Sequence, residues 1–211
     1  MMRRGAAWAG TGAGLLALVC YSVAIHGAVV SGGGTATAGA LALVQAVVAG
    51  LTISRLAPRQ RWIGFIVAPA LALLSWYSAR DGLIAASGIG HAAIHGGLLA
   101  LFAGTLAEGR EPLITTIARK VRGDLTDDME AYTRRVTWAW CLFFAGQILM
   151  STALFLFAPT PVWSFFVNVL DLPLVVAMFM AEYSYRLWRF ANHAHGSIAD
   201  VVRVFAEQPE R

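Results

Sequence analysis

Six stretches of this chain hold apolar runs close to the length that a membrane demands. A hydrocarbon core of about 30 Å takes roughly 20 residues of helix to cross. Spans of that order can be placed at about Ala7–Val29, Thr37–Ser54, Trp62–Ala79, Leu83–Leu106, Val136–Phe157 and Pro161–Tyr185. Inside lipid no water reaches the backbone, so each run must satisfy its own hydrogen bonds as a helix. Composition agrees, because only 13% of the 211 residues are charged and 58% are hydrophobic, too little charge to cover a soluble domain. The expected fold is all-α, a polytopic bundle of six transmembrane helices forming a single integral membrane domain over residues 1–211. The opening Met1–Arg4 with its apolar sequel resembles a signal peptide, but no convincing cleavage site follows it and five more spans do, so the run is read as the first span.

Cations set the orientation, since short cytoplasmic loops carry an excess of Lys and Arg. Arg3 and Arg4 precede the first span, and Arg55, Arg59 and Arg61 lie between the second and third. Arg110, Arg119, Lys120, Arg122, Arg134 and Arg135 lie in the long loop 107–135, and Arg186, Arg189, Arg203 and Arg211 in the tail 186–211. With six spans all of these fall on one side, and Arg80 alone, beside Asp81, falls on the other. The expectation is therefore a multi-pass membrane protein with both termini cytoplasmic. The net charge of +4 fits a basic cytoplasmic face rather than nucleic-acid binding. Trp62, Trp138, Trp140, Trp163 and Trp188 fall near span ends and are expected as interface anchors. Small residues every four positions, Ala6, Gly10 and Gly14 in the first span and Gly88, Ala92 and Gly96 in the fourth, would allow close helix approach. Cys20 and Cys141 sit inside apolar runs as small buried residues and imply no disulfide framework.

The long loop is the chain's one extended polar segment. Its first part places Leu113, Ile114, Ile117, Ala118 and Val121 on one helical face and Arg119, Lys120 and Arg122 toward the other, the pattern of a short amphipathic helix on the inner leaflet. Gly123 would end it. Thr126, followed by Asp127 and Asp128, would start a second helix running into the fifth span, with Glu130 and Arg134 as an i,i+4 pair. Arg119, Lys120, Arg122, Arg134 and Arg135 are the candidate docking residues for lipid or an acidic partner, although equal numbers of acidic and basic residues between Glu108 and Arg135 exclude a broad polybasic patch.

Ionisable groups inside apolar runs are costly and often functional. His91 and His95 share one face of the fourth span by their i,i+4 spacing. Two histidines alone are a weak metal motif, since zinc or iron needs a third ligand; their plain reading is neutral rings hydrogen-bonded in the bundle. Asn168 and Asp171 lie in the sixth span, with Pro173 nearby as the expected kink. By depth Asp171 falls level with the two histidines, and His91, His95, Asn168 and Asp171 form the candidate buried polar site. Glu182 is read as structural, paired with Arg186, while His26, Gln45 and Gln147 are read as interhelical hydrogen-bonding groups. His193 and His195 belong to the tail. No phosphate-binding loop, nucleophile elbow or dinucleotide fingerprint occurs, no catalytic residue is identified, and no cofactor is expected.

The stretches Arg110–Phe144 and Val162–Phe190 resemble a family of small bacterial inner-membrane proteins encoded beside ketosynthase, dehydratase and acyl-carrier-protein genes in aryl-polyene (xanthomonadin-like) clusters. The resemblance rests on Glu111-Pro112-Leu113, Thr115, Ala118-Arg119, Gly123, Tyr132-Thr133-Arg134, Val136-Thr137, Trp140, Phe143-Phe144, Glu182-Tyr183 and Tyr185-Arg186. It implies a role near membrane-associated synthesis or handling of a lipid-like polyene acyl product, with membrane lipids, acyl carrier protein or cytosolic biosynthetic enzymes as partners. The favoured expectation is a non-catalytic accessory or scaffold protein that docks such machinery through the 108–135 loop. The alternatives are a lipid or acyl-product transporter or flippase subunit, and a membrane-embedded metal-dependent enzyme using His91 and His95.

Overall fold

The computed structural model of the chain describes the backbone of residues 2–32, 36–56, 59 and 61–189. His193 and His195, the cations Arg203 and Arg211 and the rest of the expected tail beyond residue 189 lie outside the described residues. Among the described residues the fold is helical, with no strand. The elements are α1 (Met2–Val30), α2 (Ala36–Leu56), α3 (Arg61–Tyr77), α4 (Ala79–Gly104), α5 (Leu113–Arg122), α6 (Asp127–Phe157), α7 (Thr160–Phe165), a π-helical segment (Phe166–Leu170) and α8 (Asp171–Arg189). Ala38–Arg55, Ala79–Gly104, Asp127–Phe157 and Thr160–Arg189 are long and apolar enough to cross a membrane, and Leu16–Val30 and Arg61–Tyr77 are shorter apolar helices.

Several local readings need correction. Arg80 and Asp81 are not a connection but belong to the first turn of α4, with Ser78 alone separating α3 from α4. Ser78 caps that turn by accepting the Asp81 N–H at 3.2 Å, and Arg80 Nε donates to the Val29 carbonyl at 3.1 Å, satisfying an otherwise orphaned group at the end of α1. The irregularity expected at Pro173 is taken up one turn earlier. Proline cannot donate to the carbonyl four residues back, and the chain widens into the π segment just before it. Trp140 and Trp163 are not interface anchors but are 4% and 2% exposed, whereas Trp62, Trp138 and Trp188 are exposed. The two buried rings fall on inward faces of their helices, which proximity to a span end does not reveal. Cys20 is exposed, and only Cys141 is buried.

The chain falls into two compact units, one built from Met1–His95 and Gln147–Leu174, the other from Gly96–Gly146 and Val175–Arg211. Of the expected stripes, Gly88 is a close-packing position, a Cβ there lying 3.3 Å from the Trp163 indole, whereas Gly14 and Gly96 have open space where a Cβ would project. Ala6 and Gly10 lie outside the residues whose side chains are described. A further small-residue ridge runs along α2 in the first unit, where Ala42 meets Ile25, Val29 and Leu83, and Ala46 and Ala49 meet Leu71 and Ala86. Alanine serves equally well facing lipid or facing a neighbour, so its spacing does not announce this role. The tightest approach joins α2 to α3. A Cβ on Gly50 would lie 2.6 Å from the Ala68 Cβ and 2.9 Å from the Gly64 carbonyl oxygen, and one on Gly64 would strike the Gly50 carbonyl and the Ser54 hydroxyl. Ser54 Oγ donates to the Gly50 carbonyl at 2.9 Å beside this contact. Gly64→Leu should therefore force the two helices apart. Overpacking of this kind costs about 1–3 kcal/mol, which detergent-denaturation curves of wild type and variant would measure.

The second unit packs around Trp140, Val136 and Phe144, with Phe102, Phe143, Leu98, Leu99 and Met178 against them. Trp140 lies 4.5 Å from Phe179 between ring centroids and 5.4 Å from Phe144, within the range of favourable aromatic pairing. α5 ends at Gly123, whose φ of 80° and donation to the Arg119 carbonyl suit a residue without a Cβ. The helix is held by the Thr115–Thr133 hydroxyl pair at 2.7 Å and by Leu113 N–H to Thr105 Oγ1 at 3.0 Å. Glu130 does not turn to Arg134 but accepts from Arg119 at 2.5 Å, and Arg119 also reaches Glu111 at 2.8 Å. Hydrogen bonding to Arg119 holds the Glu111 carboxyl below the usual carboxylate range.

Candidate functional site

The site grows from two neighbouring facts of chain geometry. The i,i+4 spacing stacks His91 and His95 on one side of α4, ring centroids 4.2 Å apart. The π segment then delivers Asp171, first residue of α8, to the same place. His95 Nε2 lies 3.2 Å and His91 Nδ1 3.7 Å from Asp171 Oδ1. The imidazole side chains are 2% exposed, the carboxylate 26%.

The remaining ring nitrogens face backbone carbonyls. His95 Nδ1 is 3.0 Å from the His91 carbonyl oxygen, and His91 Nε2 is 3.4 Å from the Gln147 carbonyl oxygen. A carbonyl only accepts, so each of these nitrogens carries the proton and donates it. A neutral ring then presents its lone pair on the opposite nitrogen, toward Asp171. Phe166 closes the edge of His91, its centroid 6.1 Å away.

Asn168, expected with this group, does not join it. The wide turn of the π segment breaks the three-residue alignment with Asp171, and Asn168 Nδ2 donates to the Ser164 carbonyl and hydroxyl at 3.0 and 3.2 Å. Ser164 is fully buried and also contacts His26 Nδ1 at 3.1 Å. Tyr21 donates to Gln45 at 2.6 Å. His26 and Gln45 thus serve as polar links between helices. In the second unit Glu182 accepts from Tyr132 at 3.0 Å and lies 3.6 Å from Arg186.

A groove of about 440 Å³ opens beside the histidines in the first unit. Ile84, Ile89, Ile148, Phe155 and Trp163 give it apolar walls, with Asp81, His91, Ser151 and Thr152 as polar points. Trp163 is fixed there by its Nε1–H donating to Ser151 Oγ at 3.2 Å. Nothing in the sequence announces this groove, because its residues come from α4, α6 and α7 and share no local pattern. Of the candidate docking residues, Arg119 and Lys120 are exposed on α5, Arg122 lies 3.6 Å from Met129 Sδ, and Arg134 and Arg135 are exposed on the first turns of α6.

These features define an all-helical membrane protein with a buried two-histidine, one-carboxylate cluster beside an apolar groove. No family model, curated protein or solved structure matches the chain.

Proposed function

We propose that the protein is a multi-pass inner-membrane protein that holds the apolar chain of a lipid-like acyl molecule in the groove beside His91, serving membrane-associated synthesis or handling of that molecule. The observation that carries this reading is the groove itself. Its volume of about 440 Å³ lies in the range of small-molecule sites, and its walls are apolar with a few polar points at which a headgroup or carbonyl can be oriented. The resemblance to proteins of aryl-polyene clusters points to the same chemical class. On this reading six spans cross the membrane, both termini are cytoplasmic and the 108–135 loop faces the soluble acyl-chain enzymes and carrier protein. The cation distribution supports that orientation. A scaffold acting through α5 alone is less favoured, because Arg119 is already engaged by Glu111 and Glu130.

Filling the groove tests the proposal. Thr152 is exposed on its wall, so Thr152→Trp should occupy the space without disturbing a packed core. Purified wild type in lipid nanodiscs should bind a fluorescent sixteen-carbon acyl probe, and the variant about tenfold more weakly, equivalent to about 1.4 kcal/mol. Equal binding by the two would remove the groove as the site.

A further inference from the structure

We propose that His91, His95 and Asp171 bind one divalent first-row metal ion of the zinc or ferrous-iron class. Two imidazole nitrogens and a carboxylate oxygen converge so that all three lie within 4.8 Å of one another. Both rings are oriented from behind by carbonyls, His95 by His91 and His91 by Gln147, the outer-shell arrangement that fixes the tautomer of a metal-bound histidine. Their opposite nitrogens therefore point lone pairs at a carboxylate oxygen that is itself an acceptor. A carboxylate and two imidazoles gathered in a buried place are stabilised by a cation that lies among them.

Dimensions and chemistry then favour a metal over a bridging proton. A proton satisfies one donor–acceptor pair, and one shared by His95 Nε2 and Asp171 Oδ1, 3.2 Å apart, leaves the buried His91 Nδ1 without a partner. A metal satisfies all three at once. Bond lengths of about 2.0–2.2 Å to nitrogen and oxygen place ligands on one ion roughly 3.0–3.6 Å apart. The 3.2 and 3.7 Å separations to Asp171 are close to that before any ion draws the groups together. Two nitrogens and one oxygen suit ferrous iron or zinc and leave coordination positions open. The Asp171 backbone follows directly on a π segment, a distortion that recurs at functional sites. His91 also lines the groove, so a bound ion would be reachable from it. The inference does not depend on what the groove holds.

The test is metal loading of the full chain in detergent. Protein stripped with chelator is dialysed against Zn2+, or anaerobically against Fe2+, freed of excess ion by gel filtration and analysed for metal. Wild type should retain about one ion per chain, and Asp171→Asn and His95→Gln about a tenth of that or less, while eluting at the wild-type position. Co2+-loaded wild type should show visible absorption bands that Zn2+ abolishes, a readout that holds even where a variant fails to fold. Wild type that emerges without stoichiometric metal would falsify the assignment, leaving a proton shared by His95 and Asp171 as the occupant. Retention by Asp171→Asn equal to that of wild type would overturn it as well.

Discussion

Trp163→Ala should be among the most destabilising single substitutions in the first unit, at about 3–5 kcal/mol. The ring is 2% exposed and packs with Phe166, Val167, Ile84 and Leu154. It stands edge-on to Phe155 with centroids 5.3 Å apart. In lipid the cost does not come from exposing apolar surface to water. It comes from lost van der Waals contacts and from a cavity that the surroundings cannot close. Gly88 makes closure harder, since the indole lies where its Cβ would project, 3.3 Å away, and glycine has no side chain to follow it inward. The Ser151 hydroxyl also loses the indole N–H. Trp163→Phe separates the two effects, restoring most of the volume without the donor, and should cost only about 1 kcal/mol. Helicity followed through a denaturing-detergent titration measures both variants. A loss below about 1 kcal/mol for Trp163→Ala would mean that the cluster does not support the unit.

Legibility in the sequence divides along the same physical line. Helicity and the ends of α5 could be read locally, because run length, hydropathy and Gly123 each act through their own few residues. The histidine–aspartate cluster was legible for a related reason. Periodicity puts His91 and His95 on one face, and membrane depth brings Asp171 level with them. Asn168 went astray because three-residue spacing assumes an unbroken α-helix, and the π segment breaks it. Trp140 and Trp163 went astray because a tryptophan near a span end suits either an interface or a core, and only the neighbours decide. The α2 alanines and the Gly50–Gly64 approach were missed because close packing depends on which helix lies opposite, information that no single stretch contains. The groove has the same origin, its walls being assembled from segments far apart in sequence.

Single cysteines introduced into a Cys20→Ser, Cys141→Ala background should label in an all-or-none pattern with membrane-impermeant maleimide. Asp124→Cys and Arg59→Cys should react only after the membrane is opened, and Ser31→Cys and Tyr77→Cys should react on intact cells; all four positions are exposed. The expectation rests on charge and length together. Placing Arg at the bilayer centre costs about 2.5–3.5 kcal/mol on insertion scales, and cytoplasmic loops retain cations. α6, with 31 residues, is about 46 Å long. It exceeds a core of about 30 Å by roughly ten residues, enough to carry Arg134 and Arg135 clear of the hydrocarbon on the side of Asp124. α3 is the critical element. Its 17 residues give about 26 Å, short of the full core, so it crosses only where the bilayer thins or flanking residues such as exposed Trp62 and Arg61 reach the interface. Tyr77 and Arg59 bracket this helix. If both label from the same side, α3 does not cross and the six-span arrangement falls. If Asp124→Cys labels on intact cells, the loop faces outward and its proposed meeting with cytosolic acyl-chain machinery is excluded.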